Sequence, residues 1–86
     1  MFYVYLLQSK KDFSTYVGFT SNLIKRIKEH NQGKTRSIKS KRPLTLIYYE
    51  SYNNKTDARK RELELKNKGQ QKEILFKRLE NSLLSR

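Results

Sequence analysis

Cysteine is absent from this chain, which excludes disulfide bridges and thiolate metal sites without assigning a compartment. Histidine occurs once, at position 30, so the usual zinc shell of imidazoles and thiolates cannot be assembled either. Long apolar runs are missing too. The opening Met1-Phe2-Tyr3-Val4-Tyr5-Leu6-Leu7 stops at Gln8 and has no basic leader, so it reads as neither signal peptide nor membrane span, and a cytoplasmic location is expected. There is no internal repeat and no low-complexity tract. The most informative shortage is of acid: 8 Asp and Glu stand against 20 Lys and Arg, a formal net charge of +12.

That balance makes a polyanion the expected partner, because phosphate backbones bind basic surfaces by releasing counterions. An anionic membrane would feel the same charge. However, no long helix here sets a basic face against a bulky apolar face outside the expected core, so no membrane partner is expected. The 86 residues predict one domain spanning 1–86. A chain of this size buries only about 60–65% of its unfolded surface. Its core must come from few side chains, and six tyrosines and four phenylalanines are the obvious filling.

Phe2 to Gln8 reads as a strand, Ser9 to Ser14 as a polar turn and Thr15 to Phe19 as the second strand of an antiparallel hairpin. Alternation puts Tyr3, Tyr5 and Leu7 on one face and Phe2, Val4 and Leu6 on the other. Whether Tyr16 shares the face of Tyr5 depends on a register that the residues alone leave open. Thr20-Ser21-Asn22 is a cluster of N-cap residues before a helix with Leu23, Ile24 and Ile27 as its apolar stripe, and Gly33 is its stop. Residues 34–42, with five basic side chains, are expected as an exposed loop closed by Pro43. Leu44 to Glu50 is the third strand, with Leu44, Leu46 and Tyr48 on one face and Thr45, Ile47 and Tyr49 on the other. Apolar residues on both of its faces suggest that helices cover both sides. Asn53-Asn54 caps a helix over about 55–68 that Gly69 ends, and a last helix over about 71–84 carries Ile74, Leu75, Leu79, Leu83 and Leu84. The order ββαβαα predicts an α+β fold, a small three-stranded antiparallel sheet flanked by helices.

Arg26 and His30 are one helical turn apart and border the Leu23/Ile27 stripe, so both can reach over the sheet. Singly, each has a plain explanation: a surface arginine, and a histidine favoured by the helix C-terminus. Tyrosines suit half-buried strands without any chemical role. A phenol that handles protons near neutrality needs adjacent cations or a metal. Glu62 falls beside the apolar stripe of its helix, while Glu64 should point to solvent. A carboxylate so placed must be paired or hold a metal, and one carboxylate with phosphate and water is a normal setting for Mg²⁺ or Mn²⁺. Lys34, Arg36, Lys39, Lys41 and Arg42 of the basic segment, with Arg59 and Lys66 of the following helix, are the candidate phosphate contacts.

These residues together resemble the GIY-YIG nuclease domain, in particular its small stand-alone YhbQ-like (UPF0213) group. The resemblance is carried by Tyr-Val-Tyr-Leu-Leu at 3–7, Tyr-Val-Gly-Phe-Thr-Ser-Asn-Leu at 16–23, and Arg26-x-x-x-His30-Asn31-x-Gly33. Arg42-Pro43-Leu44 and Ala58-x-x-Arg61-Glu62 followed by Lys66 complete it. The glycine that opens the family's first motif is Tyr3 here. The resemblance implies a three-stranded antiparallel sheet with Tyr5 and Tyr16 on one face, and Gly18 allowing close packing. It also implies Arg26 as catalytic arginine, His30 as helix histidine, Glu62 as metal ligand, and one tyrosine activating water. The resemblance does not choose between the two tyrosines; Tyr16 is the expected base here and Tyr5 the positioner. The expected activity is divalent-metal-dependent endonucleolytic hydrolysis, of DNA in preference to RNA, with a protein partner bringing substrate. The alternative is a non-catalytic nucleic-acid-binding module on the same scaffold.

Overall fold

A computed structural model describes residues 1–84. Three strands, β1 (Phe2–Ser9), β2 (Thr15–Thr20) and β3 (Leu44–Tyr52), form an antiparallel sheet in the order β2-β1-β3. Helix α1 (Leu23–Asn31) follows the hairpin, and α2 (Lys55–Asn67) and α3 (Gly69–Arg78) follow β3. The fold is α+β, as expected.

The central strand divides the interior. Val4 and Leu6 pack with Val17, Ala58, Leu65, Leu75 and Leu79 under α2 and α3. Tyr5 and Leu7 pack with Ile38 and Leu44 under α1, joined by Tyr16, Leu23, Ile27 and Leu46. Helices thus cover both sides of the sheet. Leu7 lies opposite Tyr16 and Tyr5 opposite Gly18, a register that puts the two tyrosines on one face.

Local chemistry explains the joins. The Asn22 side chain accepts from the Lys25 amide at the start of α1, and Asn54 accepts from the Thr56 amide at the start of α2. Gly33, with φ of 79°, closes α1: its amide donates to His30 and the Lys34 amide to Glu29, both at 3.1 Å. Just before it, the Asn31 carboxamide accepts from the Leu44 amide at 2.8 Å and donates to the Leu44 carbonyl at 3.0 Å, fastening α1 to β3.

Several expectations are corrected. Residues 34–42 are not simply an exposed loop: Arg36–Lys41 forms a 3-10 helix that turns Ile38 into the core while its charged residues stay outside. In β3 the strict alternation fails because Leu6 faces Tyr48 while Leu7 faces Leu46, so Ile47 is an extra residue. Tyr48 therefore joins the α2/α3 side instead of the Leu44/Leu46 face. Gly69 does not end α2. Lys68 is the break, extended at φ −111°, and Gly69 is the first residue of α3. That helix ends at Arg78 instead of 84, because Ser82 and Leu83 turn back to the Leu79 carbonyl and the Leu84 amide is taken by the Gln8 side chain at 2.7 Å. Ile74 is 49% exposed and lies off the buried stripe. Glu64 leans back to Arg61 at 3.5 Å instead of pointing freely to solvent.

Candidate active site

Under α1 the sheet presents Tyr5 and Tyr16 next to the aliphatic Leu7, Leu44 and Leu46. The Tyr5 and Tyr16 rings lie 6.4 Å apart, and His30 descends from the last turn of α1 to within 5.7 Å of the first and 5.4 Å of the second. The Tyr5 ring fits there because Gly18 has no side chain: a Cβ on Gly18 would stand 2.3 Å from the phenol carbon and oxygen. His30 has no exposed surface, so it is deeper than the stripe border predicted for it.

The imidazole is held at both nitrogens. Its Nε2 lies 2.7 Å from the Tyr5 hydroxyl and its Nδ1 lies 2.6 Å from Oγ1 of Thr35. Burial pulls His30 below the ordinary histidine range, and the charge of Arg26 adds to this against a smaller opposing effect of Glu29. The ring is thus neutral at pH 7, with one nitrogen donating and the other accepting. Burial pushes the Tyr5 phenol up to about 12, and Tyr16 and Glu62 add to the rise while Arg26 opposes it. Tyr5 keeps its proton throughout the neutral range. Thr35, which precedes the 3-10 helix, is the site residue that sequence reasoning missed. Its only signal was a hydroxyl between Gly33 and a basic run.

Arg26 lies on the flank of α1 beside Tyr5 and pairs with Glu29 at 3.3 Å. Glu62 comes from α2, which packs against β1 and β2. Its side chain is only 8% exposed, and its two oxygens accept from Arg59 at 3.0 Å and Lys66 at 2.9 Å. Arg59 also lies over the Phe19 ring at 4.0 Å, and the Lys66 ammonium lies 6.0 Å from the centre of the Tyr16 ring. Tyr5, Tyr16, Arg26, His30 and Gly18 are therefore brought together. Glu62 joins them through its field at Tyr5 and through Lys66.

Among the described residues, no three His, Cys, Asp or Glu side chains cluster to hold a metal. A zinc-like protein shell does not fit this site. A cation that keeps most of its water and needs one carboxylate plus phosphate does fit Glu62, provided that Arg59 or Lys66 yields an oxygen.

The candidate phosphate contacts do not form one patch of free charge. Arg59 and Lys66 cover Glu62. Lys41 pairs with Asp12, whose carboxyl it holds well below the usual range. Arg42 donates to the Lys39 carbonyl at 2.8 Å, and its guanidinium lies 2.9 Å from where a Cβ on Gly33 would stand. Arg36 and Lys39 are exposed on the 3-10 helix. Lys34 instead borders a cleft along the outer face of α1 with Lys25, Lys28 and Gln32.

Comparison with known proteins bears on this geometry. The GIY-YIG catalytic domain matches residues 1–78. A UPF0213 protein of Staphylococcus haemolyticus is 40% identical over 73 residues, 84% of this chain and 88% of the relative. A UPF0213 protein of Clostridium perfringens is 45% identical over 67 residues, 77% of this chain and 71% of the relative. Among solved structures, the solution NMR structure of a UPF0213 protein from Bacillus halodurans aligns with a TM-score of 0.53 at 30% identity. It covers 87% of this chain and 83% of that one.

Proposed function

The chain belongs to the GIY-YIG catalytic domain family, within its UPF0213 group, and from that premise we propose that it is a divalent-metal-dependent endonuclease cleaving nucleic-acid phosphodiesters, DNA in preference to RNA. The family is one of endonucleases, so nuclease-type chemistry is the common ground. The observation that most supports the finer reading is the buried, hydrogen-bonded Tyr5–His30–Thr35 chain beside Arg26, a partly exposed cation that a phosphate can reach.

In this reading Glu62 would hold Mg²⁺ or Mn²⁺, which supplies a Lewis acid for the scissile phosphate and its leaving oxygen. Tyr16 would take the proton of the attacking water once its own phenolic proton has passed to solvent, a loss that the nearby Lys66 ammonium and a cation on Glu62 would favour. Tyr5, which keeps its own proton and is fixed by His30, orients the phosphate or the water. Arg26 stabilises the negative charge that builds up on the phosphoryl oxygens. Arg59 and Lys66, which are 53% and 41% exposed, exchange the Glu62 carboxylate for substrate phosphates.

The test is a cleavage panel of duplex, single-stranded, flap and branched DNA and RNA, with Mg²⁺ or Mn²⁺ and with chelator. Cleavage by Glu62→Gln should fall to the chelator background, and Arg26→Ala should lose on the order of 10²–10³ in rate. Tyr16→Phe should be crippled as well. Full activity of Glu62→Gln in the same buffer would remove the metal role. A wild type that binds but cuts nothing would favour a binding module, the reading also consistent with both Glu62 oxygens being occupied by cations.

A further inference from the structure

Two clefts share Asn22 and Ile24 at the start of α1. One, of about 320 Å³, is lined by Tyr3, Tyr49, Ser21, Asn22, Leu23 and Ile24. The other, of about 480 Å³, follows the outer face of α1 and is lined with Lys25, Lys28 and Lys34. Tyr3 and Tyr49 meet at 5.9 Å with their planes at 66°, making an open corner of two rings. Tyr49 is 51% exposed and Ile24 beside it is 72% exposed, so the most open apolar surface of α1 and an open ring adjoin. In the sheet Tyr49 is the direct cross-strand neighbour of Tyr5, which places the corner next to the candidate active site.

Neither the core nor the proposed chemistry uses this pair of clefts. We propose that they form a nucleotide subsite: an unpaired base stacks in the Tyr3/Tyr49 corner against Ile24, and the phosphates next to it lie over Lys25, Lys28 and Lys34. Any base has a face to offer an aromatic ring, and bases held in a duplex already stack on their neighbours, so the corner selects an unpaired nucleotide. Charge selects the occupant against a neutral peptide. Three ammonium groups line the outer groove, and its one carboxylate, Glu29, is engaged by Arg26. The inference rests on the nucleic-acid reading above but not on catalysis, so it is tested in chelator.

The experiment is fluorescence anisotropy of a labelled thymidine strand of about 12 nucleotides against an abasic strand of the same length, which keeps every phosphate and no base. Wild type should bind the thymidine strand more tightly. Tyr49→Ala should lose roughly 5- to 100-fold in that affinity and nothing on the abasic strand, and Tyr49→Phe should retain it. Tyr49→Thr, which keeps a strand-forming residue, guards against a misfolded alanine variant and should behave as Tyr49→Ala does. Lys25→Gln with Lys28→Gln should weaken both strands alike and reduce the salt slope by about 1.4. The subsite is overturned if wild type binds both strands equally, if Tyr49→Thr keeps the full preference, or if an acidic peptide displaces the strand as well as nucleic acid does. A wild type that binds neither strand overturns the nucleic-acid reading as well, whereas loss of base preference alone leaves that reading standing.

Discussion

Glu50 and Glu62 are both largely withdrawn from water, yet they are held in opposite ways. Glu50, on β3, accepts from the hydroxyls of Tyr48 and Tyr52 and from Arg61 Nε at 3.0 and 3.1 Å. Arg61, itself mostly buried, continues to Gln71 of α3 at 3.2 Å. Burial alone would raise the Glu50 carboxyl, but the bonds from Tyr52, Tyr48 and Arg61 hold it below the ordinary range. The same arrangement, with burial first, then the hydrogen bond to Glu50 and then its charge, pushes both phenols up to about 12. Glu62 is the very next residue after Arg61 on α2, but its partners are two half-exposed cations from its own helix. The difference shows that burial does not by itself make a carboxylate structural. What matters is whether its partners come from other elements and are buried with it, as for Glu50, or are long exposed side chains that water or a phosphate can draw away, as for Glu62.

The sharpest way to break this comparison is to neutralise each carboxylate in turn and measure thermal or urea unfolding. Glu50→Gln should cost about 2–3 kcal/mol, because Arg61 and two phenols lose a charged acceptor together. Glu62→Gln should cost at most about 1 kcal/mol. Equal costs would mean that the two sites are the same kind of structure. A smaller effect is expected on acidification. Glu50 has a depressed folded-state pKa, so its contribution is complete above about pH 4.3 and is lost as pH falls through the lowered value. His30 is also depressed, so its share is complete above about pH 6.5 and declines below. Stability measured from pH 8 to 3 should therefore fall in two stages, and Glu50→Gln should shrink the acid one, to which Asp12 also contributes, while leaving the other unchanged. The smallest effect belongs to the clamp itself: Lys66→Gln and Arg59→Gln should each change stability by less than about 1 kcal/mol. A large loss from either would show that Glu62 is locked after all.

The strands and the two helix caps were legible because their signals are local: alternation in Tyr3–Leu7, and asparagine before an apolar stripe. Arg26, His30 and Glu62 could be placed beside the core from helical spacing alone. The depth of His30 could not, since it depends on a Thr35 hydroxyl that reaches it only after Gly33 has reversed the chain. Ile38 was lost in a basic run because one apolar residue has no periodicity. The extra residue at Ile47 left no mark, because it shows only against the partner strand. The Glu50 cage joins β3 to α2 and α3 across long separations, and Arg61 alone in a motif does not say which acid it meets. The Tyr3/Tyr49 corner depends on the same β1–β3 register.

Asn31 carries one more consequence. A sheet whose outer strand ends in free amides and carbonyls is a template for another chain to pair with and aggregate. By filling both the donor and the acceptor of Leu44, the Asn31 carboxamide acts as a one-residue strand laid on the start of β3. The contact that anchors the helix bearing His30 therefore also blunts that edge, so a chain lacking this side chain would be both looser at its site and stickier in solution.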